Sequence, residues 1–326
     1  MRCKIVYMGT PEFAVGPLRA ILDAGHEVCA VVTTPDKPVG RGLKVSQSSV
    51  KLFAQERSLQ VHQPESLKEE GFINDLKSFN ADLFVVVAFR MLPKVVWSIP
   101  SFGTFNLHAS LLPQYRGAAP INWAVINGES LTGVTTFMID DKIDTGEILF
   151  SRECAIEQSE SAGDLHDKLM VLGSNLVVET IDAIISGRVK RTPQSSLITG
   201  EITLREAPKL TRESGIINWQ QTSTQIFNLI RGLSPYPCAT SVLSYSDKVI
   251  PVKIYSALDE ISIDSDSDIS GNLKPGEIAS DNKSFLRVGC GKGSIKITSI
   301  QAAGKRRLEI REFLSGIREI SSYKFN

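Results

Sequence analysis

The chain of 326 residues carries 36 Lys and Arg against 36 Asp and Glu, with 42% hydrophobic residues. This balance excludes a disordered polyelectrolyte, and the length suffices for two hydrophobic cores. No apolar run nears the ~20 residues that span a bilayer and no signal-peptide core follows Met1-Arg2, so a cytoplasmic protein without membrane contact is expected.

Lys4 to Met8 reads as a buried strand, Pro11 to Ala24 as a helix closed by Gly25, and Glu27 to Thr33 as a second strand. The turn Gly9-Thr10-Pro11 is not GxGxxG, and Pro11 has no amide to offer a pyrophosphate, so no nucleotide cofactor is expected. The segment from Pro38 through Arg41 to Lys44 has two glycines and no strand or helix period, and reads as a mobile loop. Helices are expected over 49–57 and 67–79. Asp82 to Ala88 is a nearly continuous apolar run, as in a parallel strand covered on both faces. A strand to His108, a helix from Pro120 to Ile126 and a strand Val134 to Ile139 complete an alternation that means α/β with a doubly wound sheet. A helix over 162–185, opened by Ser161 and Asp164 and stopped near Gly187, closes a first domain of residues 1–187.

Residues 188–207 are polar and turn-rich without periodicity and read as a linker. Beyond it, a helix from Thr222 to Arg231 precedes short alternating segments at 240–245, 249–257, 276–279, 284–289 and 294–300, the pattern of a small barrel spanning residues 208–326. Glu260 to Pro275 reads as an exposed loop. The net charge is unevenly placed: residues 207–326 hold 16 Lys and Arg against 12 Asp and Glu, leaving 20 against 24 before them. A basic second half, with Lys305, Arg306 and Arg307 as its densest cluster, points to phosphate contacts with a polyanion. The cysteines, Cys3, Cys29, Cys154, Cys238 and Cys290, form no CxxC and no Cys/His set at zinc spacing; no metal is expected, and a reducing compartment is.

Chemistry concentrates in 105–120 and 139–146. Asn106 and His108 lie two apart on a strand and share a face, at the carboxyl end where open α/β sheets keep their ligands. Asp144, expected at a neighbouring strand end, is placed to orient the imidazole. An amide donor, an imidazole and a carboxylate are the groups that move an acyl unit onto an amine. Asp140 and Asp141 read as turn residues, and His26, His62 and His166 as surface or packing histidines.

The segments Asn106-Leu107-His108, Ser110-Leu111-Leu112-Pro113 and Asp144-Thr145-Gly146 resemble those of the folate-dependent formyltransferases. Gly9-Thr10-Pro11-Glu12-Phe13-Ala14, Pro35-Asp36-Lys37-Pro38-Val39-Gly40-Arg41-Gly42 and Arg116-Gly117-Ala118-Ala119-Pro120-Ile121 resemble the branch acting on methionyl-tRNA. The resemblance implies a Rossmann-like, mostly parallel sheet followed by a smaller OB-like barrel, with Asn106, His108 and Asp144 as the catalytic trio. It implies 10-formyltetrahydrofolate as co-substrate, bound by Ser110, Leu111, Leu112 and Pro113 and by the loop Phe89, Arg90, Met91 and Leu92, which is one residue shorter than the family pattern. It further implies methionyl-initiator tRNA as the acceptor, approached by Arg41 and Lys44. A monomer is expected. Two other readings remain: a formyltransferase acting on a nucleotide or amino sugar, against which the second domain argues, and a noncatalytic RNA-binding protein, against which the intact trio argues.

Overall fold

The computed structural model describes residues 2–39, 44–200, 203–259 and 273–326. The chain divides into two compact units. Unit 1 comprises Met1–Pro120, Leu131–Ala155 and His166–Pro208; unit 2 comprises Ile121–Ser130, Ile156–Leu165 and Lys209–Asn326.

The elements up to residue 208, in chain order, are β1 (Lys4–Gly9), α1 (Val15–Asp23), β2 (Glu27–Val32), β3 (Lys37–Val39), β4 (Lys44–Ser46), α2 (Ser49–Glu56), β5 (Val61–His62), α3 (Glu70–Ser78), β6 (Leu83–Val87), α4 (Lys94–Trp97), β7 (Thr104–His108), β8 (Arg116–Gly117), α5 (Pro120–Ile126), β9 (Leu131–Met138), β10 (Ile148–Ala155), α6 (Ala162–Ile185) and β11 (Glu206–Ala207). Seven strands form the main sheet in the order β10-β9-β7-β6-β1-β2-β5. The five from β7 to β5 are parallel, and every residue of β6 is buried, which is why this strand reads as an unbroken apolar run. The mostly parallel sheet matches the expected fold class.

Direction changes at one edge. β9 runs antiparallel to β7, with His108 opposite Thr135 and Phe105 opposite Met138, and β10 runs antiparallel to β9. The end of β9 therefore lies beside the start of β7, where Ile139 donates to the Thr104 carbonyl (2.9 Å). Four strand residues at ~3.3 Å each put that point about 13 Å from His108. Asp144 is thus not on a neighbouring strand end, and only the fold-back of the 139–147 connection brings it to the histidine. The segment around Arg41 also differs from a structureless loop at its base: β3 and β4 pair antiparallel, Lys37 with Ser46 and Val39 with Lys44.

The 188–207 stretch is not a free connection. Thr192 and Ile148 exchange backbone bonds (2.8 and 2.9 Å), β11 pairs with β8, and Gln194 is 3% exposed. Lacking a period, Thr192, Gln194, Glu206 and Ala207 take their structure from the rest of unit 1 instead.

Unit 2 adds α7 (Ser223–Gly232), β12 (Ala239–Tyr245), β13 (Lys248–Asp259), β14 (Ile278–Ser280), β15 (Leu286–Gly289), β16 (Ser294–Ala302), β17 (Leu308–Glu309), α8 (Ile310–Ser315) and β18 (Lys324–Phe325). The antiparallel order is β14-β15-β16-β13-β12-β18, and a bridge between Glu277 and Lys324 brings the two ends together into a nearly closed barrel. Inward residues alternate along the strands, among them Val252, Ile254, Ile295 and Ile297, and α7 caps them with Ile226 and Ile230. A capping box between Thr222 and Gln225 starts α7. The buried guanidinium of Arg231 donates to the carbonyls of Glu157 (3.4 Å) and Glu160 (3.0 Å), tying 156–165 into this unit. Of the expected loop 260–275, residues 260–272 lie outside the described residues.

Candidate active site

One backbone carbonyl and one carboxylate flank the His108 ring. Its Nε2 lies 2.8 Å from the Tyr115 carbonyl oxygen, which can only accept, so Nε2 carries a proton and in the neutral ring Nδ1 keeps its lone pair. Nδ1 faces Asp144, with Oδ2 at 3.8 Å, an ion-pair distance and too long for a hydrogen bond. The tautomer is therefore set by Tyr115, and Asp144 stands beside Nδ1 without a hydrogen bond to it. Asn106 is half-buried on the same face of β7, and its side chain has no hydrogen-bond partner among the described residues.

Asp144 is held at both ends. Its Oδ2 accepts from the Gly117 amide (2.9 Å), and its carbonyl accepts from Gln194 Nε2 (2.9 Å), which also donates to the Gly146 carbonyl (2.9 Å). Gln194 Oε1 accepts in turn from Arg116 Nε (3.0 Å) and Nη2 (2.6 Å). Both Asp144 (φ 53) and Tyr115 (φ 58) are left-handed, a conformation costing roughly 1–3 kcal/mol that persists only where surroundings enforce it. Gly146 has no side chain because a Cβ would meet the Met138 carbonyl. Asp140 organises the turn, accepting from the Lys142 amide (2.9 Å) and the Thr145 hydroxyl (2.9 Å), while Asp141 lies 4.0 Å from Lys94.

The residues expected to bind folate divide by burial. Ser110 is fully buried, its hydroxyl donating to the Gln114 carbonyl (2.7 Å) and its own carbonyl accepting from Thr135 (2.7 Å). Leu112 packs against Phe137 and Ile148, and Leu92 sits in the sheet core with Met8 and Val86. Leu112 is thus turned inward, with 4% of its surface exposed. Leu111, Pro113, Phe89 and Arg90 are half-buried and Met91 is exposed. Arg90 straps its loop to the carbonyls of Pro64 (2.8 Å) and Glu65 (3.1 Å).

Of the residues expected to meet tRNA, Arg41 lies outside the described residues, and Lys44 is described as backbone in β4. Lys305, Arg306 and Arg307 form an exposed turn before β17. Arg307 is partly committed within the barrel, over the Tyr255 ring (4.6 Å) and donating to Ser299 Oγ (2.8 Å), and Arg306 pairs with Glu312 at 3.4 Å. Among the described residues no three or more His, Cys, Asp and Glu are grouped to hold a metal ion, and no helix is long and apolar enough to cross a membrane.

Comparison with known proteins places this geometry. Residues 1–181 match the formyl transferase family and residues 209–318 its C-terminal domain. Methionyl-tRNA formyltransferase of Bacteroides fragilis is 48% identical over 323 residues, covering 98% of this chain and 97% of that protein. The chain belongs to the methionyl-tRNA formyltransferases. The family's enzyme from Flavobacterium psychrophilum is 50% identical over 315 residues, covering 96% of each. Two solved structures share the fold. One is a sugar 3N-formyl transferase in the presence of dTDP and 5-N-formyl-THF (TM-score 0.63, 21% identity, 94% of this chain and all of that one). The other is HypX from Aquifex aeolicus in complex with tetrahydrofolic acid (TM-score 0.63, 19% identity, 98% of this chain and 49% of that one). Spacing on one strand pointed to Asn106 and His108 and the family motif to Asp144, and the structure brings the Asp144 carboxylate beside His108. Sequence reasoning missed the Tyr115 carbonyl, the Gly117 amide and Gln194: the first two are backbone groups, and Gln194 sits in a polar stretch with nothing to mark it.

Proposed function

We propose that Asn106, His108 and Asp144 carry out the family's reaction, transfer of the formyl group of 10-formyltetrahydrofolate to the α-amine of methionyl-initiator tRNA. The neutral amine attacks the formyl carbon, and the carbonyl π electrons move onto oxygen. Asn106, whose amide hydrogens have no partner among the described residues, donates to that oxygen as it gains charge. Nδ1 of His108 takes the proton the amine must lose, directly or through a water, and the Asp144 carboxylate stabilises the imidazolium so formed. The C–N10 bond then breaks with its electron pair going to N10, which takes the proton from Nδ1, leaving tetrahydrofolate and formylmethionyl-tRNA.

The pterin meets Phe89, Arg90, Met91, Leu111 and Pro113, the members of the two loops that keep exposed surface, while Ser110, Leu112 and Leu92 hold those loops in shape. Arg41 and Lys44 place the acceptor end, and the barrel's basic turn supplies sequence-independent phosphate contacts. The protein acts in the cytoplasm as a monomer without metal or nucleotide.

The observation that carries this reading is Oδ2 of Asp144 at 3.8 Å from a His108 nitrogen whose lone pair is free. Its test is formylation of methionyl-initiator tRNA by the purified protein with 10-formyltetrahydrofolate, beside His108→Ala. Transfer by the wild type and a loss on the order of 10² or more in a folded His108→Ala are expected. Equal turnover by the variant at saturating substrates removes His108 from the chemistry.

A further inference from the structure

Thr192, Gln194, Arg205 and Ala207 touch both halves of the site. On one side Thr192 pairs with Ile148 and Gln194 binds the carbonyls of Asp144 and Gly146. On the other, the Arg205 carbonyl accepts from the Tyr115 amide (2.7 Å), and the Ala207 carbonyl accepts from the amides of Ala118 (2.7 Å) and Ala119 (3.2 Å). Gln194 joins the two. Its oxygen takes the fork of Arg116, and both amide hydrogens go to carbonyls of the loop that carries Asp144. The circuit then closes on itself, because Gly117, next to Arg116, donates its amide to the Asp144 carboxylate.

Only a primary amide fits this position, since it offers two donors at one end and an acceptor for two at the other. A carboxylate lacks the donors, an ammonium lacks the acceptor, and Asn is one methylene shorter. The bonds are made where they matter, on a residue whose left-handed backbone is unfavourable and must be enforced. The Gln194 carboxamide is bonded to Arg116 and to the Asp144 and Gly146 carbonyls, and no hydrogen bond joins it to His108 or Asn106 among the described residues.

We propose that Gln194 is a positioning residue for formyl transfer, its carboxamide fixing the Asp144 backbone so that the carboxylate stands at Nδ1 of His108. The proposal rests on the reading of Asp144 given above. Gln194→Glu tests it, because the shape and the Arg116 contact remain while an oxygen now opposes two carbonyl oxygens. The expected result is a fall in kcat of about 10- to 100-fold with KM for folate and tRNA held within about threefold, the signature of misplacement and not of weakened binding. In an Asp144→Asn background the same change should cost no more than about twofold, since the interaction it supports is already gone.

A folded Gln194→Glu with wild-type kcat, a change confined to KM, or losses that multiply in the double variant would each overturn the proposal. A fully active Asp144→Asn instead overturns the reading of Asp144 itself, so the two failures are told apart. If Gln194→Glu does not fold, Gln194→Met, close in volume and without the polar atoms, is measured in the same cycle against the same outcomes.

Discussion

Replacing Asp144 with Asn isolates the charge of the site from its shape. The Asn side-chain oxygen still accepts from the Gly117 amide, and Asn tolerates the left-handed backbone at φ 53 better than most residues. What disappears is a negative charge 3.8 Å from Nδ1, between side chains 7% and 16% exposed. At that separation and an effective dielectric constant of ~20, carboxylate and imidazolium attract by roughly 4 kcal/mol, and allowing for contact with solvent leaves about 2 to 4 kcal/mol. The imidazolium forms only as the amine gives up its proton, so the loss falls on the transition state and not on substrate binding. Steady-state formylation assays should show kcat lower by about 30- to 10³-fold, with KM for both substrates little changed. The deficit should persist as salt is raised, because a partly buried pair is screened less than a surface one. A kcat within about threefold of wild type, in a variant with an unchanged melting temperature, would refute the argument and leave Asp144 a structural residue.

Leu112→Asp should damage the fold before it reveals anything about folate: Leu112 is 4% exposed, so a loss of at least the ~2–5 kcal/mol of a large-to-small core change is expected in denaturant titrations. An unshifted midpoint would show that the side chain faces solvent. Converting Lys305, Arg306 and Arg307 to alanine should lower the log-log salt slope of tRNA binding by ~0.7–0.9 for each phosphate no longer neutralised, with saturated turnover preserved; an unaltered slope means the turn does not meet tRNA. Arg41→Ala should show the opposite, a fall in turnover larger than the fall in tRNA affinity measured by filter binding. His26, buried with Nδ1 accepting from the Cys3 amide at 3.4 Å, has a pKa lowered from 6.5, chiefly by burial. The unfolded chain therefore binds the proton more readily, and this contribution to stability, full above pH ~6.5, is lost as the pH falls below it. Urea midpoints measured between pH 7.5 and 5 should fall less steeply for His26→Gln, and identical slopes would exclude the effect.

Local chemistry was legible wherever a residue's environment depends on near neighbours. The helix over 162–185 begins at the Ser161–Asp164 box, with the Asp164 amide 3.2 Å from Ser161 Oγ, and stops before Gly187. The run in β6 and the alternation in the barrel strands were equally plain, because periods of two and 3.6 residues register which face is buried. His108 and Asn106 were found for the same reason, standing two apart on one strand, and Asp144 through its family motif. Tertiary structure decided what lies between elements. Nothing in residues 131–155 announces that β9 and β10 turn antiparallel, so the fold-back that carries Asp144 to His108 had no local signal. Gln194 stands 50 residues from Asp144, and its partner Arg116 stands 78 residues from it. A polar side chain in an aperiodic stretch acquires its role from the carbonyls that three-dimensional packing puts in front of it. Those carbonyls belong to every residue alike, so no pattern of side chains along the chain encodes them.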